Sequence, residues 1–199
     1  MKSEKIIFFD LETNGLPKNY RLPCTVVDNW PRITEIAFLV VDRVEGEIFE
    51  HTALIKPDGW TIPDEPFFKR QGFTTAKSKK DGTPVLNSLQ LFIEWVNESD
   101  ILVAHNMNFD YNVMGAEMIR KNIKAEKKLQ KICTMQEMTS VLKLPHASGG
   151  NGYKWPKLEE LYRFLFEADF VGAHSAIWDL RATAECFFEM EKRGYINIK

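Results

Sequence analysis

The order of apolar and polar positions predicts a chain that begins with strands. Residues 6–9 are four consecutive apolar residues, which is typical of a strand buried on both faces. Residues 33–41 and 48–55 predict two more strands, and the Glu-Gly-Glu sequence at residues 45–47 suits a hairpin turn between them. We expect these three strands to form an antiparallel meander.

Helical spacing of apolar side chains dominates the rest of the chain. Residues 57–84 are irregular and rich in proline, glycine and lysine, apart from a short helix predicted at residues 65–71. The later predicted elements are helices over residues 84–97, 106–122, 157–166 and 175–193, a further helix that ends at residue 142, and short strands over residues 101–104 and 132–134. Strands followed by alternating helices and strands indicate an α/β fold in which helices cover a mixed sheet.

Length and composition are those of an ordinary globular protein. The chain has 199 residues, of which 44% are hydrophobic and 27% are charged, so we expect residues 1–199 to form a single domain. The formal net charge of −2 excludes a strongly basic nucleic-acid-binding protein, but it is compatible with local basic patches. Two basic runs, within residues 77–80 and 120–131, either contact phosphates or form a plain solvated surface.

Neither a membrane span nor a disulfide framework is predicted. No apolar run approaches the ~20 residues that a membrane-spanning helix requires, so we expect no contact with a membrane. Cys24, Cys133 and Cys186 are odd in number and widely spaced, which favours reduced thiols in a cytoplasmic protein. The sequence ends soon after the last predicted helix, so we expect no tail that docks a polymerase, and the identity of any protein partner stays open.

The first candidate site is a pair of acidic residues at the end of the first strand. Asp10 and Glu12 are separated by one residue, and because strand side chains alternate between two faces, both project from the same face. Two neighbouring carboxylates repel each other, and such a pair suits a hard divalent cation such as Mg²⁺. The alternative is that both carboxylates lie on a solvated loop just past the strand.

Two more acidic residues and a histidine lie where later elements begin. Asp110 falls in the first turn of the helix after residues 101–104, where it either faces a ligand or interacts with the helix N-terminus. Asp179 falls in the last predicted helix and His174 just before it, so a fixed carboxylate and a movable imidazole can converge there. The alternative is a surface Asp179 paired with an arginine and a His174 that caps the helix.

Together these residues resemble the DEDDh family of 3′→5′ exonucleases, which includes ribonuclease T and proofreading exonucleases. The three motifs of that family are matched by Asp10, Glu12, Thr13 and Gly15, then by His105, Asn106, Phe109 and Asp110, and finally by His174, Ala176 and Asp179. The resemblance extends from residue 6 to about residue 193. It implies a ribonuclease H-like fold with a mixed five-stranded sheet flanked by helices.

The resemblance also implies an activity. The expected reaction is metal-dependent hydrolysis of phosphodiester bonds at the 3′ end of nucleic acid, with release of nucleoside monophosphates. The residues implied as ligands of two divalent ions, Mg²⁺ or Mn²⁺, are Asp10, Glu12, Asp110 and Asp179. His174 is implied as the general base that takes a proton from the attacking water, since an imidazole titrates near the working pH.

The substrate is less closely defined than the reaction. The resemblance implies that Thr13, Leu16, Gln71 and Phe109 contact the terminal nucleotide, although Gln71 stands where the family often has a histidine before a glycine. No residue identifies a reader of the 2′-hydroxyl, and the proofreading-like motifs favour single-stranded DNA. Three alternatives stay open: an exoribonuclease of the same family, an endonuclease that uses two metal ions, and a non-catalytic nucleic-acid-binding module on this fold.

Overall fold

The sheet carries the predicted meander and continues it with two parallel strands. A computed structural model describes residues 3–147, 149, 151–169 and 175–198. The strands of these residues are β1 (Lys5–Thr13), β2 (Ile33–Asp42), β3 (Gly46–Leu54), β4 (Ile101–Ala104) and β5 (Gln130–Cys133). Their order across the sheet is β3-β2-β1-β4-β5. The first three are antiparallel, while β4 is parallel to both β1 and β5, so the predicted mixed five-stranded sheet is confirmed.

Helices cover both faces of this sheet. The helices of the described residues are α1 (Pro66–Arg70), α2 (Thr75–Asp81), α3 (Val85–Glu98), α4 (Met107–Arg120), α5 (Thr134–Leu142), α6 (Leu158–Phe166) and α7 (Ala176–Lys192). A single 3-10 turn at Val27–Asn29 precedes β2. All but one of the α-helices lie where helical spacing predicts them. The exception is α2, which falls inside the stretch at residues 57–84 that the sequence predicts to be irregular.

Side-chain alternation along β1 divides the core into two layers. Ile7, Phe9 and Leu11 belong to the layer under α3 and α4, whereas Ile6 and Phe8 belong to the layer under α6 and α7. All five side chains are almost completely buried, as expected for the central strand of a sheet covered on both faces. Because Asp10 and Glu12 continue the even-numbered series, both belong to the α7 face.

β1 extends further than its parallel neighbour. Its pairing with β4 ends where Phe8 meets Val103, whereas its pairing with β2 continues to Thr13. The last part of β1, with Asp10 and Glu12, therefore has a strand on one side only. On the other side the chain turns from β4 into α4. In open α/β sheets, ligands usually bind beyond the C-terminal ends of the parallel strands.

The turn from β4 into α4 depends on an unusual backbone conformation. Asn106 separates the two elements with a φ of 74° and a ψ of 49°, in the left-handed region. Its side chain makes no capping hydrogen bond to the helix, so backbone conformation distinguishes this position. Asparagine tolerates left-handed geometry better than most other residues with a Cβ atom.

Part of the basic run at residues 120–131 has a structural role. The guanidinium of Arg120 donates hydrogen bonds to the carbonyl oxygens of Val27, Trp30 and Pro31. It also pairs with the carboxylate of Glu117, which is almost completely buried. Arg120 therefore ties α4 to the chain before β2, and its charge is not free to contact phosphate.

The cysteines and the helices agree with the predictions that there is no disulfide framework and no membrane-spanning helix. Cys24, Cys133 and Cys186 are free thiols, as predicted. Among the described residues, no helix is long and apolar enough to cross a bilayer. A cytoplasmic location stays a prediction.

We expect Asn106→Ala to lower the free energy of unfolding by ~1 kcal/mol, because a Cβ without a compensating polar group is strained in the left-handed region. Asn106→Gly removes the Cβ and should lose less stability than Asn106→Ala. Urea denaturation of both variants beside the parent protein checks this. Equal stability of the two variants would show that the left-handed geometry is not what constrains this position.

Candidate active site

Three carboxylates converge where β1 ends. Asp10 and Glu12 come from β1, and Asp179 comes from the first turn of α7. One carboxylate oxygen from each residue lies within 4.8 Å of the other two, and all three side chains are partly exposed. Oxygen ligands grouped in this way and open to solvent are suited to a hard divalent cation. The first and third acidic motifs, 167 residues apart at Glu12 and Asp179, are thus brought together by the packing of α7 on the sheet.

Asp110 lies beside this group but not within it. It occupies the first turn of α4 and is almost completely buried. Its charge acts directly on Asp10, whose pKa it raises. Asp10 therefore has Asp110 as a neighbour as well as Glu12 and Asp179. Asp10 is therefore the acidic residue on which the charges of the other three act together.

Burial and like charge make ionisation of this cluster unfavourable. The pKa of Asp10 is raised well above its usual range, first by burial and then by Asp110, Asp179, Glu12 and Glu35. Burial, with Asp179 and Glu35 next, raises the pKa of Glu12 to about 7. Burial also raises the pKa of Asp110. Protons therefore remain on the cluster up to near-neutral pH unless other positive charge replaces them.

Glu35 is a fifth carboxylate that the sequence analysis missed. In the pairing of β1 with β2, Glu35 lies directly opposite Glu12, so both project from the α7 face. One oxygen of Glu35 accepts a hydrogen bond from the backbone N–H of Ala176, at 3.0 Å. The available signal was one charged residue inside the run at residues 33–41, in which every other residue except Thr34 is apolar.

The short helix α2 brings positive charge towards Glu35. Thr74 caps this helix by accepting a hydrogen bond from the N–H of Lys77. The positive charge of Lys77 lowers the pKa of Glu35, although burial has the larger, opposite effect. The Lys77 amine also lies 3.4 Å from where a Cβ on Gly72 would be, which places it beside the turn that follows α1.

His174, the predicted general base, lies outside the described residues. The structure resumes at Ser175, directly before the first residue of α7. The predicted position of Asp179 inside the helix is confirmed.

The predicted nucleotide contacts lie on separate elements around the end of β1. Leu16 is 74% exposed, which is unusual for so large an apolar side chain. The Thr13 hydroxyl donates to the carbonyl of Gly15 at 2.7 Å, within the turn that ends β1. Gln71 ends α1, and its buried Oε1 atom has no hydrogen-bond partner among the described residues.

Phe109 has an aromatic neighbour that the sequence analysis missed. The ring centroids of Phe109 and Tyr20 lie 6.3 Å apart, and Tyr20 is 46% exposed. The Tyr20 carbonyl accepts a hydrogen bond from the Asn108 side chain, which links the loop after β1 to the start of α4. Phe109 directly precedes Asp110 in the first turn of α4, so the aromatic pair lies at the same end of that helix as Asp110. No local pattern in the loop marks Tyr20 as special.

His105, from the second motif, is a structural residue. It is largely buried, with Nε2 3.1 Å from the Pro156 carbonyl and Nδ1 2.9 Å from the Thr134 hydroxyl. A carbonyl oxygen only accepts, so Nε2 carries the hydrogen and Nδ1 accepts from Thr134. Burial lowers the pKa of His105 to about 4. The neutral ring therefore links the end of β4 to the beginning of α5 and to the segment before α6.

Comparison with known proteins places this fold and acidic cluster in a family of nucleases. The RNase_T family model, described as exonuclease, matches residues 7–187, and the chain therefore belongs to this exonuclease family. Exonucleases are hydrolases, so the family to which the chain belongs is one of hydrolytic enzymes. A search of curated proteins found no match.

Solved structures of exonuclease I share the fold. Escherichia coli exonuclease I in complex with a dT13 oligonucleotide superposes with a TM-score of 0.73 at 16% identity, and the match covers 96% of this chain and 41% of that one. The zinc-bound form of its complex with single-stranded DNA gives 0.71 at 18% identity, with the same coverage of both chains. Exonuclease I from Methylocaldum szegediense gives 0.69 at 19% identity, again covering 96% and 41%. This chain therefore spans about two fifths of the length of those proteins. The predicted ribonuclease H-like fold is confirmed.

Without added metal, we expect the stability that Glu12 contributes to fall as the pH rises from 4.5, its ordinary pKa, to about 7, its pKa in the folded protein. The folded protein keeps a proton that the unfolded chain has already released, so this group contributes less stability as the pH rises. Added Mg²⁺ should therefore stabilise the protein more above about pH 7 than below it.

Glu12→Gln is the matched control because it removes this titration. His105 acts in the opposite direction between pH 6.5 and about 4, and the difference between wild type and Glu12→Gln cancels it. What remains is the contribution of Glu12 together with its effect on the pKa of Asp10 and Asp110. Thermal denaturation across this pH range, with and without Mg²⁺, is the measurement. Parallel pH profiles for the two proteins would contradict the assignment.

Proposed function

We propose that this chain is a metal-dependent 3′→5′ exonuclease that releases nucleoside monophosphates from single-stranded nucleic acid, with DNA as the favoured substrate. The observation that supports it most is the convergence of Asp10, Glu12 and Asp179 within 4.8 Å at the end of β1. Such a cluster is suited to metal-assisted hydrolysis, in a chain that belongs to an exonuclease family. The proposal treats residues 1–199 as one exonuclease domain.

The carboxylates are proposed as ligands of two divalent ions, Mg²⁺ or Mn²⁺. Glu12 and Asp179, whose carboxylate oxygens lie close to that of Asp10, would hold the first ion with it, while Asp110 would help to hold the second. The raised pKa of Glu12, about 7, supports this assignment, because cations would replace the protons that the cluster otherwise retains. When bound, two such ions stabilise both the attacking and the leaving oxygen of a phosphodiester.

His174 is proposed as the general base. In the sequence only the cap residue Ser175 separates it from the first residue of α7, the helix that carries Asp179. The neutral imidazole of His174 would accept the proton of the attacking water, and the ions held by the four acidic residues would position the phosphate.

The terminal nucleotide is proposed to lie against the apolar rim of the cluster. Leu16 and Tyr20 in the loop after β1, and Phe109 at the start of α4, offer exposed or partly exposed apolar surface. Aromatic rings stack on any base, which suits an enzyme that removes successive nucleotides without regard to sequence. Thr13 and Gln71 are the proposed polar contacts. Single-stranded DNA is favoured because exonuclease I, which shares this fold, is solved in complexes with such strands.

The proposal is tested with a 5′-labelled single strand, as DNA and as matched RNA, in the presence of Mg²⁺ or Mn²⁺. We expect a ladder that shortens stepwise from the 3′ end, faster for DNA than for RNA, and none with Asp10→Asn. Faster decay of the RNA would instead make the protein an exoribonuclease. An immediate internal product would identify an endonuclease. No product from either strand would favour the alternative of a non-catalytic nucleic-acid-binding module.

A pair of variants separates the proposed base from the proposed ligands. We expect Asp10→Ala to abolish activity and weaken Mn²⁺ binding, because it removes the ligand shared by both ions. His174→Ala should keep Mn²⁺ binding but lose ~10²–10⁴-fold in rate, which a higher pH partly restores. The measurements are a calorimetric Mn²⁺ titration and a pH–rate profile. Loss of metal by His174→Ala as complete as by Asp10→Ala would make His174 a ligand and not the base.

A further inference from the structure

The start of α7 is held by a residue from another element. A helix begins with backbone N–H groups that have no partner inside the helix, and the preceding residue's side chain commonly accepts one of them. Ser175 holds that capping position, but its side chain makes no such bond. The N–H of Ala176, the first residue of α7, donates instead to Glu35 of β2, at 3.0 Å.

The negative charge of Glu35 is unfavourable where it lies, because it adds to the repulsion among the carboxylates at the end of β1. It lies opposite Glu12 in the pairing of β1 with β2. Its charge raises the pKa of both Asp10 and Glu12. A neutral residue here would therefore ease the repulsion among the carboxylates. The N-terminus of α7 compensates in part, because the helix dipole favours an anion there.

The bond from Glu35 acts on the part of α7 that carries Asp179. The backbone N–H groups of Trp178 and Asp179 both donate to the carbonyl of Ser175, so this first turn is built on the residue next to the Glu35 contact. The rest of the helix has its own anchors, since Leu180 and Phe187 are completely buried. The Phe187 ring also packs on Phe8 of β1, with centroids 5.2 Å apart. The core thus holds the body of α7 and the Ala176 side chain, while Glu35 binds the backbone N–H group at the start of the helix.

We propose that Glu35 is a positioning residue: by capping α7 from β2, it sets where the Asp179 carboxylate stands relative to Asp10 and Glu12. A metal ligand must be held in place by its own supporting contacts, and outer partners of this kind typically contribute ~10- to 100-fold to metal affinity or activity. The inference rests on the proposed role of Asp179 as a metal ligand.

The test compares Glu35→Ala with Glu35→Gln. Glutamine keeps a carbonyl oxygen that can accept from Ala176 and loses only the charge, whereas alanine removes the acceptor. We expect Glu35→Ala to weaken Mn²⁺ binding ~10- to 100-fold in a calorimetric titration and to lower kcat with little change in KM. Glu35→Gln should stay close to wild type in both measurements.

A control at the other end of the same strand separates positioning from loss of stability. Asp42 also uses its carboxylate to accept backbone N–H groups, those of Val44 and Glu45, but seven residues further along β2. That distance is ~23 Å, well away from the cluster. Asp42→Ala should lower the stability of the fold while keeping Mn²⁺ affinity.

Amide hydrogen exchange supplies a readout independent of activity. In Glu35→Ala the amides of Trp178 and Asp179 should exchange faster than in wild type, while those later in α7 stay protected. Two results would overturn the proposal: a Mn²⁺ affinity for Glu35→Ala no lower than for Asp42→Ala, or a loss in Glu35→Gln equal to that in Glu35→Ala. If the wild type binds Mn²⁺ but degrades no strand, the proposed function fails while the metal titration still decides the role of Glu35.

Discussion

Repulsion among carboxylates at the end of β1 is the constraint on which the rest of the structure depends. Five acidic side chains act on one another there, and burial raises the pKa of Asp10, Glu12 and Asp110. A fold that holds such a cluster needs a rigid support, because the separated carboxylates would be more favourably solvated. β1 supplies it as the central strand, with Ile6, Phe8 and their odd-numbered neighbours buried on both faces.

Two helices, α4 and α7, each add one carboxylate to the cluster at the end of β1. The start of α4 brings Asp110 to the side of β1 that β4 has left uncovered, with the left-handed Asn106 making the turn. The start of α7 brings Asp179 over the face from which Asp10 and Glu12 project. Both acidic residues lie in the first turn of their helix, where the helix dipole favours a negative charge. The same dipoles that stabilise these carboxylates thus partly offset their mutual repulsion.

The spacing of apolar residues predicted most of the fold, because buried strands and amphipathic helices each leave a recognisable pattern in the sequence. It missed α2, since Thr75–Asp81 is almost entirely polar and is specified by the Thr74 cap and not by an apolar stripe. The acidic residues were found because they recur in ordered motifs at the ends of elements. Glu35 was not found, since its importance depends on strand register and on a helix more than 140 residues later in the chain. The structural role of Arg120 was also not predicted, because its hydrogen bonds to the chain before β2 cannot be inferred from a run of basic residues.

The residues whose roles were not predicted from the sequence share a physical feature that also explains how the site is assembled. Each missed residue acts through a backbone group of a distant element: Glu35 through the N–H of Ala176, Arg120 through carbonyls before β2, and Tyr20 through its own carbonyl to Asn108. Such contacts leave no periodic signal, but they set the distances between elements that carry the chemistry. The carboxylates therefore supply the charge that a metal requires, and the contacts from side chain to backbone determine whether that charge is gathered in one place.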